Sequence, residues 1–439
     1  MRTVVSAEVT PVATTESVIR RMTRLAVEHD AVNLSQGFTD ECPPFDLVWA
    51  AVSAMLGGSE AQMARLDGAS LREMAPGLDV SEIVDRPLKQ LFETLQGHPD
   101  SLNQYSFPFG LPELREAIAA YTLRLYGWRP DPETDITVTL GATEALASVL
   151  AGVCAPGDRL IVPQPYHEMY PAQAAVFGLV PDYVTLVEDV ATGRWSLNRD
   201  EWEAAASRGA RALILNTPHN PTGKVFSASD LAFIAELAAR HGLLVISDEI
   251  YEHIVFDDAR HLSPAAIPGM RERTIVVNSI SKTGNATGWR VGWVIAPALY
   301  TPAIRGFHDT MVIQAPTPLQ RAAVALLKLD ASAFDTLRTA YARKRETLTR
   351  GLDRAGFGVS APEGAYYLFA RYRDVPGLAG RAPMEAALHL ITEVGVASVP
   401  GDNFYATEGG GDEYLRFAFC RSVPALETAA RRLARLTSG

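Results

Sequence analysis

Five short runs of apolar, often β-branched residues recur along this chain. Helical stretches separate them, and each run stops at a polar cluster. The runs are Ile136-Thr137-Val138-Thr139-Leu140, Asp158-Arg159-Leu160-Ile161-Val162, Ala212-Leu213-Ile214-Leu215, Leu243-Leu244-Val245-Ile246-Ser247 and Thr274-Ile275-Val276-Val277. Runs this short and this apolar suit strands buried on both faces, and intervening helices favour parallel neighbours. The clusters that end them are Gly141 to Ala145, Pro163 to His167, Asn216 to Gly223, Asp248 to Tyr251 and, beyond the last run, Ser279 to Lys282. Open α/β sheets bind ligands outside the carboxyl ends of their strands. The pattern therefore predicts an α/β fold, a mostly parallel open sheet sandwiched by helices, with a site where these clusters meet.

Lys282 is the most informative single residue. It lies just past an apolar strand, among small and hydroxylated residues, where its ammonium is poorly solvated. Desolvation lowers a lysine's proton affinity, which suits a Schiff-base nucleophile. Ser279 before it and Arg290 after it offer a hydroxyl and a guanidinium fork, a set that holds a phosphate. The same residues also suit an ordinary surface lysine in a Gly/Ser/Thr loop. Gly141-Ala142-Thr143, between a strand and a helix, is a general anion site built from free backbone N–H groups and a hydroxyl. Many α/β crossovers share that pattern.

The remainder of the chain frames this region. Ser17 to Glu28 carries Val18, Met22, Leu25 and Ala26 at helical spacing. Asn33-Leu34-Ser35-Gln36-Gly37-Phe38 reads as a turn whose glycine lets backbone approach a ligand, or as a plain connector. Residues 46–102 alternate helix-like pieces, among them Ser81 to Leu95, with breakers such as Gly57-Gly58 and Pro76-Gly77. This segment reads as a small helical lid or recognition subdomain, or as a surface insertion without a role. Pro112 suits the first turn of a helix running to about Leu125. From Thr317 the pattern is mainly helical, with a long charged helix over 331–355. Short strands follow at 365–369 and 414–419, and a terminal helix covers 424–436, so a smaller α+β domain is expected. Arg416 alternates with Leu415 and Phe417 and so faces away from them. It is either a salt-bridged structural arginine or a carboxylate clamp.

Bulk properties exclude several classes. Of 439 residues, 47% are hydrophobic and 21% charged, which indicates a globular chain. The formal charge of -11, without a long basic run, argues against a nucleic-acid partner. Cys42, Cys154 and Cys420 have neither ligand nor disulfide spacing, so no metal is expected. With no apolar signal core and no membrane-length run, a soluble cytoplasmic protein is expected.

The clusters together ask for a ligand with one phosphate and one ring. Thr143, Ser279 and Arg290 suit the phosphate, and Lys282 suits an aldehyde. Asp248 suits a ring nitrogen that must stay protonated, Asn220 and Tyr251 a phenolate oxygen, and His167 the ring face. Pyridoxal 5'-phosphate meets each demand. The chain resembles the fold-type I, class I/II aminotransferases, and within them the branch with kynurenine aminotransferase, cysteine-S-conjugate β-lyase and methionine aminotransferase. The stretches that carry the resemblance are 33–38, 103–105, 216–223, 247–253, 281–293, 315–318 and 415–417. It covers nearly the whole chain outside 46–102.

The resemblance implies an aspartate-aminotransferase-like fold and a role for each position. Lys282 would carry the cofactor as a Schiff base and shuttle a proton, with Asp248 on the pyridine nitrogen. Asn220 and Tyr251 would hold the phenolate oxygen. Ala142, Thr143, Ser279 and Arg290 would surround the phosphate, and Tyr105 would reach the phosphate of a neighbouring subunit in a homodimer. Arg416 would clamp the substrate α-carboxylate, helped by Asn216 and the backbone of Gly37. The implied catalytic set is Lys282, Asp248 and Tyr251, and the substrates are an amino acid and a 2-oxo acid. The expected divisions are 1–45 (an N-terminal arm and part of the small domain), 46–102 (the insertion), 103–314 (the large cofactor-binding domain) and 315–439 (the C-terminal small domain).

Three departures from the family pattern bear on specificity. The connection from Gly37 to Tyr105 is long, the ring-stacking position holds His167 rather than Phe or Tyr, and Ile313 and Gln314 lack aromatic character. Transamination is the leading expectation. Elimination or replacement at the β- or γ-carbon, on a substrate such as S-adenosylmethionine, is the alternative.

Overall fold

A computed structural model describes residues 16–56 and 104–437. The expected helix Ser81 to Leu95 and most of segment 46–102 lie outside these residues. A helix over Phe45–Leu56 covers the start of that segment.

The described strands, in chain order, are β1 (Val32–Asn33), β2 (Ile136–Thr139), β3 (Arg159–Gln164), β4 (Val180–Asp189), β5 (Arg194–Leu197), β6 (Ala212–Asn216) and β7 (Leu244–Asp248). They continue with β8 (Thr274–Ser279), β9 (Gly292–Ile295), β10 (Tyr367–Arg371), β11 (Val396–Ala397), β12 (Val399–Pro400) and β13 (Tyr414–Ala418). Eight form one sheet in the order β2-β9-β8-β7-β6-β3-β4-β5. β9 runs antiparallel to both of its neighbours, and β5 runs antiparallel to β4. The pairs from β8 to β4 are parallel. All five runs read from the sequence are strands of this sheet. β4, β5 and β9 were not read. β4 alternates buried and half-exposed residues near a sheet edge, and β9 is a four-residue strand that starts at the end of the 281–293 stretch.

Side-chain alternation explains the layering. Leu160, Val162, Ala212, Ile214, Leu244, Ile246, Ile275 and Val277 pack on one face with Leu146, Val149 and Leu150 of the helix Gly141–Val153. Ile161, Leu213, Leu215 and Val245 point to the other face. There they meet Trp202 of the helix Arg199–Ser207 and Leu231, Ile234 and Leu237 of the helix Ala228–His241. Ser227 and Asp230 close the start of that last helix with a capping box. The helix Pro112–Tyr126 begins on its proline and ends at Gly127 with φ 74°.

A separate core joins the N-terminal helix Val18–Glu28, through Met22 and Ala26, to the C-terminal part of the chain. It takes in residues of β10 and β13, two strands of the antiparallel sheet β10-β13-β12, and of the helices Ala331–Arg354 and Val423–Leu433. Leu415 and Phe417 lie in this core, and Arg416 faces the other way. Among the described residues, no helix is long and apolar enough to cross a membrane.

Candidate active site

The carboxyl ends of β6, β7 and β8 lie side by side. Asn216 pairs in register with Asp248, and Asp248 with Val277, so Ser279 emerges one strand from Asp248. Adjacent strands are about 4.8 Å apart, so end residues of neighbouring strands share one small space. β9 explains the position of Arg290. Gly292 is the register partner of both Thr139 and Ser279, which places Arg290 at the same edge. A Cβ on Gly292 would lie 2.7 Å from the carbonyl carbon of Gly141 and 2.9 Å from Ala142 N. Only a glycine there lets β9 approach the start of the helix Gly141–Val153.

A cleft of about 940 Å³ opens over these ends. Gly37, Ala142, Thr143, His167, Asp248, Tyr251, Ser279, Lys282, Arg290 and Arg416 line it. Three other residues named from the sequence do not. Asn216 is turned into the backbone, where its Oδ1 accepts from Asn220 N (2.7 Å) and its amide donates to the Asp248 carbonyl (3.1 Å). Asn220 lies behind Arg416 and accepts from its guanidinium at 2.9 Å. Tyr105 is 78% exposed and does not line its own chain's cleft. Ile313 and Gln314, read as substrate-side positions, also lie off the cleft, and Gln314 bonds Ser106 and Thr317.

Lys282 Nζ donates to the Gly37 carbonyl at 3.1 Å and stands over the rings of Tyr251 and Tyr366. Burial pulls its pKa down to about 8. Arg290 and Arg416 push the same way, and Cys420 and Asp248 oppose them. The Gly37 segment approaches this closely because it has no side chain: a Cβ would meet Tyr366 at 2.9 Å and collide with the Tyr367 hydroxyl. Asp248 is almost fully buried, and burial raises its carboxyl to about 6 against hydrogen bonds from Tyr170 and the Ile250 amide. His167 is driven down to about 3 by burial, with Arg416 and Lys282 adding to the effect, so its ring is neutral at neutral pH. Tyr251 exchanges a hydrogen bond with Tyr367 at 3.0 Å.

Arg416 is 1% exposed, stacked on Tyr367 and Phe404. Its guanidinium donates to Asn220 Oδ1 and, at 2.6 Å, to the Ser35 carbonyl. Both acceptors are neutral, and its Nε is buried without a partner. Among the described residues Arg416 forms no ion pair with any carboxylate. The salt-bridged structural arginine, one of the two readings open from the sequence, is therefore absent there.

Sequence reasoning missed several lining residues. Ser281 has a buried hydroxyl without a partner. Tyr367 follows from alternation on β10. Glu168 accepts from Ser17 and Asn403, tying the N-terminal helix and the 401–404 turn to the cleft wall. The next residue after Asp248, Glu249, faces away into a hydroxyl network with Ser247, Ser263 and His261, and Glu252 faces Tyr121 and Asn278.

These features fit pyridoxal phosphate. Orphaned hydroxyl and amide donors, from Ser281 and from the first turn of the helix Gly141–Val153, face a space flanked by Ser279 and Arg290. A buried carboxylate, Asp248, forms no ion pair among the described residues and suits a protonated ring nitrogen. An amine of lowered pKa stands on the same cleft.

The chain matches the family described as aminotransferase class I and II over residues 77–433. That match begins inside the segment read as an insertion. The chain is 35% identical over 432 residues to a probable N-succinyldiaminopimelate aminotransferase of Mycobacterium tuberculosis, covering 96% of each. It is 33% identical over 421 residues to a methionine aminotransferase of Escherichia coli, again covering 96% of each. The solved structure of N-succinyldiaminopimelate aminotransferase from Mycobacterium tuberculosis superposes with a TM-score of 0.83 at 34% identity, over 97% of this chain and 100% of that one. These three are named for transamination, and none for the elimination chemistry that the sequence also allowed.

Proposed function

The chain belongs to the class I and II aminotransferases, and from that premise we propose how its residues divide the reaction. The protein is a pyridoxal-phosphate-dependent aminotransferase acting on an amino acid and a 2-oxo acid. The bound cofactor supplies an aldehyde for the amino group and a ring that withdraws electrons from the substrate's Cα. Lys282 would hold that aldehyde, and its amine would move the proton at the substrate's Cα. Asp248 keeps the proton on the ring nitrogen. Tyr251 and Asn220 serve the phenolate oxygen, and the neutral ring of His167 covers one face. Ala142, Thr143, Ser279 and Arg290 hold the phosphate, joined by Tyr105 of a second copy in a cytoplasmic homodimer. Residues 103–314 form the large domain, and 315–439 with the N-terminal arm form the small one.

The observation that carries the substrate half is Arg416. A buried guanidinium that stacks on two rings and, among the described residues, bonds only neutral acceptors suits a carboxylate supplied by the substrate, with Gly37 on the same cleft. The outer wall of the cleft holds Glu16, Arg20, Gln36, Glu168 and Asn403 beside Phe38 and Met169. That mixture suits an extended polar side chain, closer in kind to the substrate named for the Mycobacterium tuberculosis relative than to an aromatic one. The test incubates the purified holoenzyme with a panel of amino donors and 2-oxo acids and follows products by mass spectrometry. A new amino acid should form only when an acceptor is present, fastest with long polar donors. In Arg416→Gln, KM for the donor should rise about tenfold or more. Ammonia release without an acceptor would overturn the reading.

A further inference from the structure

Asp248 is nearly out of contact with water, and no cationic side chain forms an ion pair with it among the described residues. Two donors reach its carboxylate. The Tyr170 hydroxyl donates to Oδ2 at 2.8 Å, and the Ile250 amide approaches Oδ1 at 3.4 Å. The first is a good hydrogen bond and the second a long one. Tyr170 is 2% exposed and belongs to the short helix Met169–Val176, which starts directly after the 163–167 cluster. Its ring stands edge-on to His167, with centroids 5.8 Å apart at 76°. One tyrosine therefore touches both the carboxylate at the end of β7 and the imidazole that lines the cleft.

We propose that Tyr170 is a positioning residue for the cofactor ring: its hydroxyl fixes the Oδ2 edge of Asp248 so that Oδ1 is left for the ring nitrogen, and its ring edge braces His167. The proposal rests on the reading of Asp248 as the partner of that nitrogen. Torsion about a carboxylate's last bond is broad, so an unanchored Asp248 would sample many orientations. A donor to the charged form also favours the carboxylate over the carboxylic acid, against the desolvation that favours the acid. A protonated Asp248 cannot stabilise a protonated ring nitrogen. Burial holds the Tyr170 phenol well above its usual range, so it donates throughout the working pH range.

The test is a double-mutant cycle between Tyr170→Phe and Asp248→Asn, with Tyr166→Phe as control. Tyr166 packs on Tyr183 and does not line the cleft. Four quantities are measured: affinity of the apoenzyme for pyridoxal phosphate, the pH titration of the holoenzyme's visible absorbance, kcat with KM for the amino donor, and thermal midpoint. Tyr170→Phe, which keeps the ring and removes one oxygen, should lower kcat about tenfold or more, the worth of a hydrogen bond to a charged group. KM should stay within about twofold, and the absorbance titration should shift. In the Asp248→Asn background the same change should cost little, because the carboxylate it orients is gone. Tyr166→Phe should resemble the unaltered enzyme. If Tyr170→Phe leaves kcat and titration unchanged while Asp248→Asn is severe, the positioning role is wrong and the reading of Asp248 stands. If Asp248→Asn itself leaves both unchanged, the reading of Asp248 falls and the proposal with it. Equal losses from Tyr170→Phe in both backgrounds would mean that the tyrosine acts independently of Asp248, which also overturns the proposal.

Discussion

At Lys282, burial and two arginines outweigh the two groups that favour the ammonium, and the pKa falls from 10.5 to about 8. The consequence has a definite sign. Below about pH 8 the amine is mostly protonated and cannot attack an aldehyde; above it, the amine is free. Uptake of pyridoxal phosphate by the apoenzyme should therefore quicken with rising pH, with a midpoint near 8 rather than near 10.5. Stopped-flow absorbance across pH 6.5 to 10 measures this, with the pH range chosen to bracket both values. Borohydride reduction and peptide mapping should then find the label on Lys282. A midpoint near 10, or a label on another lysine, would remove Lys282 from its role. The same depressed pKa means that the unfolded chain binds the extra proton between about 8 and 10.5, so this lysine destabilises the apoenzyme less as pH rises through that window.

Among the elements, the junction of β9 with the helix Gly141–Val153 is the most exacting. β9 runs against its neighbours, starts at the edge where the parallel strands end, and is pinned on both sides at Gly292. A methyl group at Gly292 has backbone on either side, which cannot move aside as a side chain can. Gly292→Ala should displace the first turn of the helix, weaken pyridoxal phosphate binding about tenfold or more and lower the thermal midpoint. Gly306, inside the helix Thr301–Val312, has open space around its Cβ position. Gly306→Ala should raise stability by up to about 1 kcal/mol through helix propensity alone. Equilibrium dialysis and thermal melts of the two variants make the comparison. Equal behaviour would mean that the junction tolerates more than its geometry indicates.

At the scale of the whole molecule, Tyr105 is the residue its own cleft does not use. It stands exposed beside Ser106, which Gln314 and Gln320 hold in place, and the exposed Phe107 lies near it. An exposed tyrosine on a well-held segment suits a contact with a second copy. Mixing Tyr105→Ala with Arg290→Ala and refolding should restore part of the activity that each lacks, because some mixed dimers contain one intact site. The yield is read from activity against mixing ratio, with light scattering to establish the dimer. No recovery from any mixture, or a fully active monomer, would end the shared-site reading.

Much of this architecture was legible in the residue order because its signals are local. A buried parallel strand must be apolar on both faces, so five of the eight strands of the large sheet were visible as runs. The three missed were an edge pair with one wetter face and a four-residue strand that starts at the end of the 281–293 stretch. The helix start at Pro112 was visible because the fit of proline to a first helical turn is local chemistry. Arg416 could be assigned to the face opposite Leu415 and Phe417 by strand alternation alone. What opposes that face could not be assigned, because Asn220 and Ser35 lie far away in the chain. Only the folded molecule brings them to the guanidinium and shows two neutral acceptors and, among the described residues, no carboxylate. The same holds for Tyr170. No spacing rule links it to Asp248, since the two meet through the order of strands in the sheet. The lowered pKa of Lys282 and the raised one of Asp248 likewise depend on how much water the surrounding elements exclude. Local pattern thus determined the strands, the caps and the family of chemistry. Tertiary packing decided which polar groups meet, which remain without a partner and which are left for a ligand.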